Sequence, residues 1–292
     1  MYSGVMCMIL SMVSITTGAT LAKIVFPVIG PELTTLLRLG LAAAVLAVLF
    51  RPWRHHPSRK ELMCILPYGA TLGAMNLLFY FAIARIPLGI ALALEFMGPL
   101  AVALYGMRRR QDLAWVLFAV TGVALLLPIT DLSAHLDPLG GVLALGAGIF
   151  WGAYILTGRR LALIGKEDGM RGGVMVAWGM LSAALAVSPV GLIAGNVVQM
   201  DTRLWMQVFG VAVLSSAIPY SLEMVALKQL PTKIFGILTS LEPVIGAVSG
   251  FLFLSEHLSA MQALAIGLIV VASAGSTYAE SRRRYVEAVA LP

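Results

Sequence analysis

Ten apolar runs, each close to the length that crosses a bilayer, follow one another along the chain. They occupy residues 4–29, 31–50, 62–84, 87–107, 113–129, 139–158, 172–193, 204–226, 233–254 and 260–279. A hydrocarbon layer of ~30 Å takes roughly 20 helical residues to cross. No water reaches that layer, so each run must satisfy its own backbone, which an α-helix does. The fifth run is the shortest, and the division between the first two rests on the breaker pair Gly30-Pro31. The expected fold is therefore an all-α integral membrane protein with ten transmembrane helices.

Composition supports many spans over a single anchor. Only 12% of the 292 residues are charged, about half the usual ~25% of a soluble domain. The deficit extends along the whole chain. The net charge is +6 with a pI near 9.5, and a basic balance of that kind can signal nucleic acid. Here the basic residues fall between the apolar runs. If the connectors alternate sides, one side collects 16 of the 20 Lys and Arg, in the groups 51–60, 108–110, 159–171, 228–233 and 282–284. The other side receives Lys23, Arg85 and Arg203, and Arg38 stays within a run. Lys and Arg concentrate on the cytoplasmic side, so both termini are expected there, in a multi-pass protein of a bacterial inner membrane. The first Lys or Arg is Lys23. A secretory signal would carry that charge ahead of its apolar stretch, so the first run reads as a retained helix.

The chain also repeats. Residues 82–87 (AIARIP) resemble 226–231 (ALKQLP), and a second proline follows each at the same interval, Pro87 to Pro99 and Pro231 to Pro243. Both pairs sit at the fourth run of a five-run set. Duplicating an odd number of spans inverts the second set, which is a transporter arrangement with its substrate site near midplane. The expected organisation is a first five-helix repeat at 4–129, a second at 139–279 and a cytoplasmic tail at 280–292.

Ionisable groups at mid-depth are costly, about 2.5–3.5 kcal/mol on insertion scales, and normally face an interior cavity. Arg38, Glu95 and Glu242 stand near the middle of the second, fourth and ninth runs, and Glu223 lies nearer the cytoplasmic end of the eighth. Two acids adjoin helix-breaking prolines. Pro99 deprives the Glu95 carbonyl of its helical donor, and Pro243, directly after Glu242, does the same to Thr239. A loose carbonyl beside a carboxyl group suits a cationic or hydrogen-bonding ligand, and also a proton site. The plainer reading is that Arg38 neutralises one glutamate and locks helices together. Asn76 and Tyr80 lie one turn apart in the third run. Trp151 and Tyr154 share a face of the sixth. Tyr220 follows the Pro219 break in the eighth. These groups either line a cavity or, for the aromatics, anchor the chain at the membrane interface. Trp53, Trp115 and Trp205 read as anchors.

Other motifs exclude chemistry. Cys7 and Cys64 lie in apolar runs without a CxxC pair, and His55, His56, His135 and His257 lie in short polar connectors. Neither a disulfide framework nor a metal site is expected. Gly148-x-x-x-Gly152 and Gly246-x-x-x-Gly250 permit close helix contact. Gly146-Ala147-Gly148 lies inside an apolar run with no strand before it, so it is not a dinucleotide motif. No P-loop or nucleophile elbow is present, so no enzyme and no cofactor is expected.

Residues 68–104 (YGATLGAMNLLFYFAIARIPLGIALALEFMGPLAVAL), 143–160 (LALGAGIFWGAYILTGRR) and 214–254 (LSSAIPYSLEMVALKQLPTKIFGILTSLEPVIGAVSGFLFL) carry a family likeness. The chain resembles the drug/metabolite transporter superfamily, of the type with two EamA-like halves, and within it the bacterial threonine/homoserine exporters. The likeness extends thinly from about residue 14 to 277; nothing is carried onto the opening residues or the tail. It implies an inner-membrane exporter of small hydrophilic amino acids, chiefly threonine and homoserine, working by proton antiport. It also implies a central cavity with the fifth and tenth helices peripheral. An amino-acid zwitterion needs an anion for its ammonium group and a donor for its carboxylate. Glu95 or Glu242 supplies the first, and Arg38 or Lys23 the second. The assignment favoured here is Glu95 for the ammonium, Arg38 for the carboxylate and Glu242 for the proton. The alternative solutes are a sugar conjugate, a nucleoside base or a cationic drug, and Arg38 disfavours the last. The amino acid, protons and lipid are the expected partners, nucleic acid is not, and the oligomeric state, monomer or homodimer, stays open.

Overall fold

The computed structural model describes residues 2–105, 112–126, 137–167, 170, 172–195, 200–230 and 238–290. Arg108, Arg109, Arg110, His135, Arg171, Pro231 and Lys233, on which part of the charge and repeat pattern rests, lie outside the described residues.

Among the described residues every regular element is helical. The helices are α1 (Tyr2–Phe50), α2 (Arg59–Ile83), α3 (Leu88–Glu95), α4 (Met97–Tyr105), α5 (Asp112–Leu126) and α6 (Pro138–Glu167). They continue with α7 (Gly172–Ile193), α8 (Thr202–Ala212), α9 (Ile218–Gln229), α10 (Glu242–Leu254) and α11 (Ala260–Ala290). A π-turn, Val213–Ala217, joins α8 to α9. Among the described residues, five stretches are long and apolar enough to cross a membrane: Ser3–Phe50, Arg59–Ile83, Pro138–Gly165, Gly172–Ile193 and Thr202–Glu223. Shorter apolar helices occupy Leu88–Val102, Ala114–Leu125, Glu242–Leu254 and Ala260–Gly275.

Local sequence explains where these helices stop. The first two apolar runs are continuous in α1 except at Gly30, whose φ of 77° and ψ of 158° are not helical. Only glycine adopts that conformation without strain, and Pro31 follows it. α2 opens with a capping box: Ser58 Oγ accepts from the Glu61 N–H, and Glu61 Oε2 accepts from the Ser58 N–H at 2.7 Å. This satisfies two of the donors that a helix start leaves open. α10 ends at Ser255 in the left-handed conformation, and the Glu256 N–H returns to the Gly250 carbonyl at 3.1 Å. Several helices outrun their apolar segments. α6 reaches Glu167, and α11 continues through the expected tail to Ala290.

The eighth run is interrupted by a mechanism that can be followed atom by atom. The Ile218 N–H donates to the Val213 carbonyl, a five-residue step. The next residue, Pro219, has no N–H. The Leu214 carbonyl is therefore left without a helical donor, and Ser14 of α1 donates to it at 2.7 Å. Gly18 lies one turn further along α1. A Cβ there would stand 2.6 Å from the Ser215 nitrogen, so glycine lets α1 close on the π-turn.

α2 packs on α6 and α7, and α1 on α7, α8 and α9. α3 packs on α10 and α6, α4 on α6, and α5 on α11. The largest buried cluster gathers Tyr80, Ile83, Ile86 and residues 88 and 90–94 of α3. Burial is inverted relative to a water-soluble protein. Met63, Ile149 and Ile193 are 75%, 73% and 86% exposed, while Arg38, Asn76, Glu95 and Glu242 are buried. A large apolar exterior around a few buried charges is what lipid selects.

Candidate functional site

Arg38 is the best-defined buried charge. It projects from the second half of α1 toward α2, where Asn76 and Tyr80 stand one turn apart. Nη1 donates to the Tyr80 hydroxyl at 2.9 Å, and Nη2 donates to Asn76 Oδ1. Asn76 is itself oriented, because its Nδ2 donates to the Leu72 carbonyl at 2.7 Å. The guanidinium also lies 4.8 Å from the Tyr80 ring centroid. Among the described residues Arg38 makes no ion pair, and its buried Nε has no hydrogen-bond partner. The locking ion pair weighed from the sequence is thus absent from the described residues; two neutral side chains hold the guanidinium instead.

Glu95 ends α3. The chain turns at Phe96 and restarts as α4 at Met97, the break that Pro99 predicts. The freed carbonyl of Glu95 faces Gly148 of α6, where a Cβ would come within 2.5 Å of it. A Cβ on Gly98 would collide with the Gly148 carbonyl, and one on Gly152 would crowd Val102. The small-residue spacing of α6 therefore admits the broken helix α3–α4. Trp151, one turn from Gly148, packs edge-on against Phe96, with ring centroids 5.4 Å apart and planes at 88°.

Glu242 opens α10 beside Pro243, where a helix N-terminus favours an anion. Glu95 lies within electrostatic reach of both Glu242 and Arg38. Glu242 in turn feels Glu223. Tyr220 lies in the field of Arg38, Glu95 and Glu223. The groups singled out in the second, third, fourth, eighth and ninth runs thus share one interior region. α3 and α10 bring the two acids there by direct packing, with Gly89 against Ala247 and Gly246 against Leu92.

Tyr154 is partnered by Tyr68, and both lie within electrostatic reach of Glu223. Its ring stacks on Tyr68 at 4.9 Å and 24°, and the two hydroxyls are 3.1 Å apart. Lys23, the other donor considered for a carboxylate, is engaged elsewhere: it pairs with Glu256 at 2.5 Å. Among the described residues no three His, Cys, Asp or Glu side chains gather where an ion could be held.

The model of the EamA-like transporter family matches this chain twice, over residues 2–127 and 138–278. The chain belongs to the EamA-like transporter family. Its relatives include the threonine/homoserine exporter RhtA of Salmonella typhimurium (strain LT2), 45% identical over 285 residues that cover 98% of this chain and 95% of the relative. Another is the threonine/homoserine exporter RhtA of Escherichia coli (strain K12), 46% identical over 273 residues covering 94% and 90%. One solved crystal structure superposes with a TM-score of 0.65 at 19% identity, covering 94% of this chain and 98% of the other. At that identity the likeness concerns the fold alone.

This EamA-like transporter contains interior polar residues that the sequence did not single out. Tyr68 partners Tyr154. Ser11 donates to Glu223 Oε1 at 3.0 Å and to the Pro219 carbonyl at 3.2 Å. Thr16 accepts from Ser249 of α10 at 3.0 Å. Ser11, Ser14 and Gly18 recur at spacings of three and four, one face of α1. That small-residue stripe was the available signal for a helix packed against a broken neighbour.

Proposed function

We propose that the chain is an inner-membrane secondary transporter that exports small hydrophilic amino acids, threonine and homoserine, by proton antiport. The substrate carboxylate is received by Arg38 and the substrate ammonium by Glu95, with Glu242 exchanging the proton. Asn76 and Tyr80 orient the guanidinium. Trp151, Tyr154 and Tyr220 line the region, with the Pro99, Pro219 and Pro243 breaks shaping its walls. The carrying observation is that Arg38 is held by neutral partners with Nε unpaired, on a chain similar to amino-acid exporters over nearly its whole length. A buried donor without a partner costs free energy until a ligand meets it, and a planar fork matches a carboxylate in two-point geometry.

The architecture that goes with this reading has ten spans in two inverted five-helix repeats, residues 4–129 and 139–279. The segment 280–292 and the N-terminus lie on the cytoplasmic side, as the Lys and Arg bias supports. A flat cationic drug fits less well, because Arg38 repels it.

The test is export itself. Cells that express the chain and are poisoned by excess homoserine should tolerate it better and retain less labelled homoserine than cells without it. Retention and tolerance equal to those of the control would remove the substrate assignment.

A further inference from the structure

At the opposite end of α3 from Glu95, three elements converge on one carboxylate. Glu256 Oε1 pairs with Lys23 Nζ of α1 at 2.5 Å, and Glu256 Oε2 accepts from the Leu88 N–H at 2.8 Å. Lys23 Nζ also donates to the Ile86 carbonyl at 3.2 Å. Both side chains are partly buried, 18% and 13% exposed. Glu256 is set there by how α10 ends. Ser255 is left-handed, the Glu256 N–H bonds back to Gly250, and a Cβ on Gly250 would collide with Glu256 Oε2.

The Leu88 N–H opens α3, which has no side-chain cap of its own. The Glu256 carboxylate, two residues beyond the end of α10, caps it instead, and a helix start favours negative charge. Seven residues later, α3 ends at Glu95, the last of its eight residues. All eight are buried, and α3 packs directly along α10. Ile86, beside the same junction, packs on Gly140 of α6, where a Cβ would come within 2.6 Å. Arg85 bonds Asp137 at 3.0 Å just outside and holds that carboxyl below its usual range. The starts of α3 and α6 and the end of α10 are thus drawn together against the middle of α1, around Lys23 and Glu256.

We propose that Lys23 and Glu256 form the outer gate of this transporter, and that export requires their separation. The inference rests on the proposed orientation, which puts Lys23 on the external side. α3 joins the gate to the site, because about two turns of buried helix have Glu256 at one end and Glu95 at the other. A change of charge or ligand at Glu95 that shifts α3 draws the Leu88 N–H away from its cap. The alternating-access step then has a residue-level description: α3 leaves Glu256, Lys23 loses its partner, and the path opens past Thr20.

Thr20 reports that path. It is buried, three residues before Lys23 on the same face of α1. In a background with Cys7→Ala and Cys64→Ala, Thr20→Cys is labelled by a membrane-impermeant thiol reagent added from outside or, in inverted vesicles, from inside. Adding Glu256→Gln should speed labelling from outside by about tenfold and leave labelling from inside unchanged. In the same background, Lys23→Cys with Glu256→Cys joined by a cleavable bifunctional thiosulfonate should stop homoserine efflux, and a reductant should restore it. A pair that merely staples the fold would let the joined protein export normally. That result overturns the proposal, as does outside labelling that Glu256→Gln leaves unchanged. If the parent chain exports no homoserine, the substrate reading fails alone, because labelling still decides the gate.

Discussion

Arg38 and Tyr80 meet twice: the guanidinium donates to the phenolic oxygen at 2.9 Å and lies 4.8 Å from the ring centroid. With Asn76 holding the other terminal nitrogen, the charge is fixed in position without being neutralised. An ion pair with Glu95 or Glu242 would have satisfied both charges and left little for a substrate to gain. Neutral partners keep the positive charge available in the buried interior, where a low dielectric strengthens its attraction for a carboxylate.

The planar fork itself should matter. Arg38→Lys keeps the charge but cannot meet Asn76, Tyr80 and a substrate carboxylate together. Hydrogen bonds to charged groups are worth about 1.5–3 kcal/mol, so efflux should fall roughly 10- to 100-fold. Labelled homoserine efflux at matched expression measures it. Efflux at the wild-type rate would show that Arg38 does not receive the carboxylate.

The two acids should fail differently. Glu95→Gln removes the proposed partner of the ammonium group, so the homoserine concentration giving half-maximal efflux should rise by about tenfold or more. Glu242→Gln should instead uncouple transport from the proton gradient while homoserine–homoserine exchange continues. Vesicles with an imposed pH gradient separate the two behaviours. Wild-type rates and gradient dependence in both variants would remove the assignment.

The π-turn predicts a rescue. Ser14→Ala leaves the Leu214 carbonyl without its donor, costing about 1–3 kcal/mol. Pro219→Ala returns an N–H to the helix at that place. The double variant should therefore regain part of the thermal stability, measured in detergent, that Ser14→Ala loses. Strict additivity of two losses would mean that Ser14 does not serve the carbonyl left open by Pro219.

Glycines in the walls should not be interchangeable. Gly148→Ala drives a methyl group against the Glu95 carbonyl and should cost about 1–3 kcal/mol, the range for overpacking. Gly40 has open space where its Cβ would be, so Gly40→Ala should be tolerated. Melting temperatures of the two purified variants give the comparison. Equal melting temperatures would contradict the close packing of α6 against the α3–α4 break.

Much of this was legible because membrane burial makes unusual residues conspicuous. Gly30-Pro31, Pro99, Pro219 and Pro243 mark the places where helices stop or restart, since a missing N–H removes a helical bond, whereas Pro67 and Pro189 lie within continuous helices. Arg38, Glu95 and Glu242 stood out because few forces keep such groups at mid-depth. Their pairing was not legible. Periodicity says which face a residue occupies, but not how far one helix slides along another. That register brings Tyr68 to Tyr154, Ser14 to Leu214 and Lys23 to Glu256, across 86, 200 and 233 positions. Helix ends were also less legible than helix centres. α6 and α11 continue past the apolar runs, because charged residues outside the hydrocarbon layer are good helix formers and carry no penalty there.

The most direct measurement is the efflux of labelled homoserine from preloaded cells, comparing the intact chain, Arg38→Met and an empty vector. Rapid loss of label is expected with the intact chain, and retention with Arg38→Met close to that of the empty vector even though the variant is inserted at normal levels. Equal efflux from the intact chain and the variant would contradict this expectation.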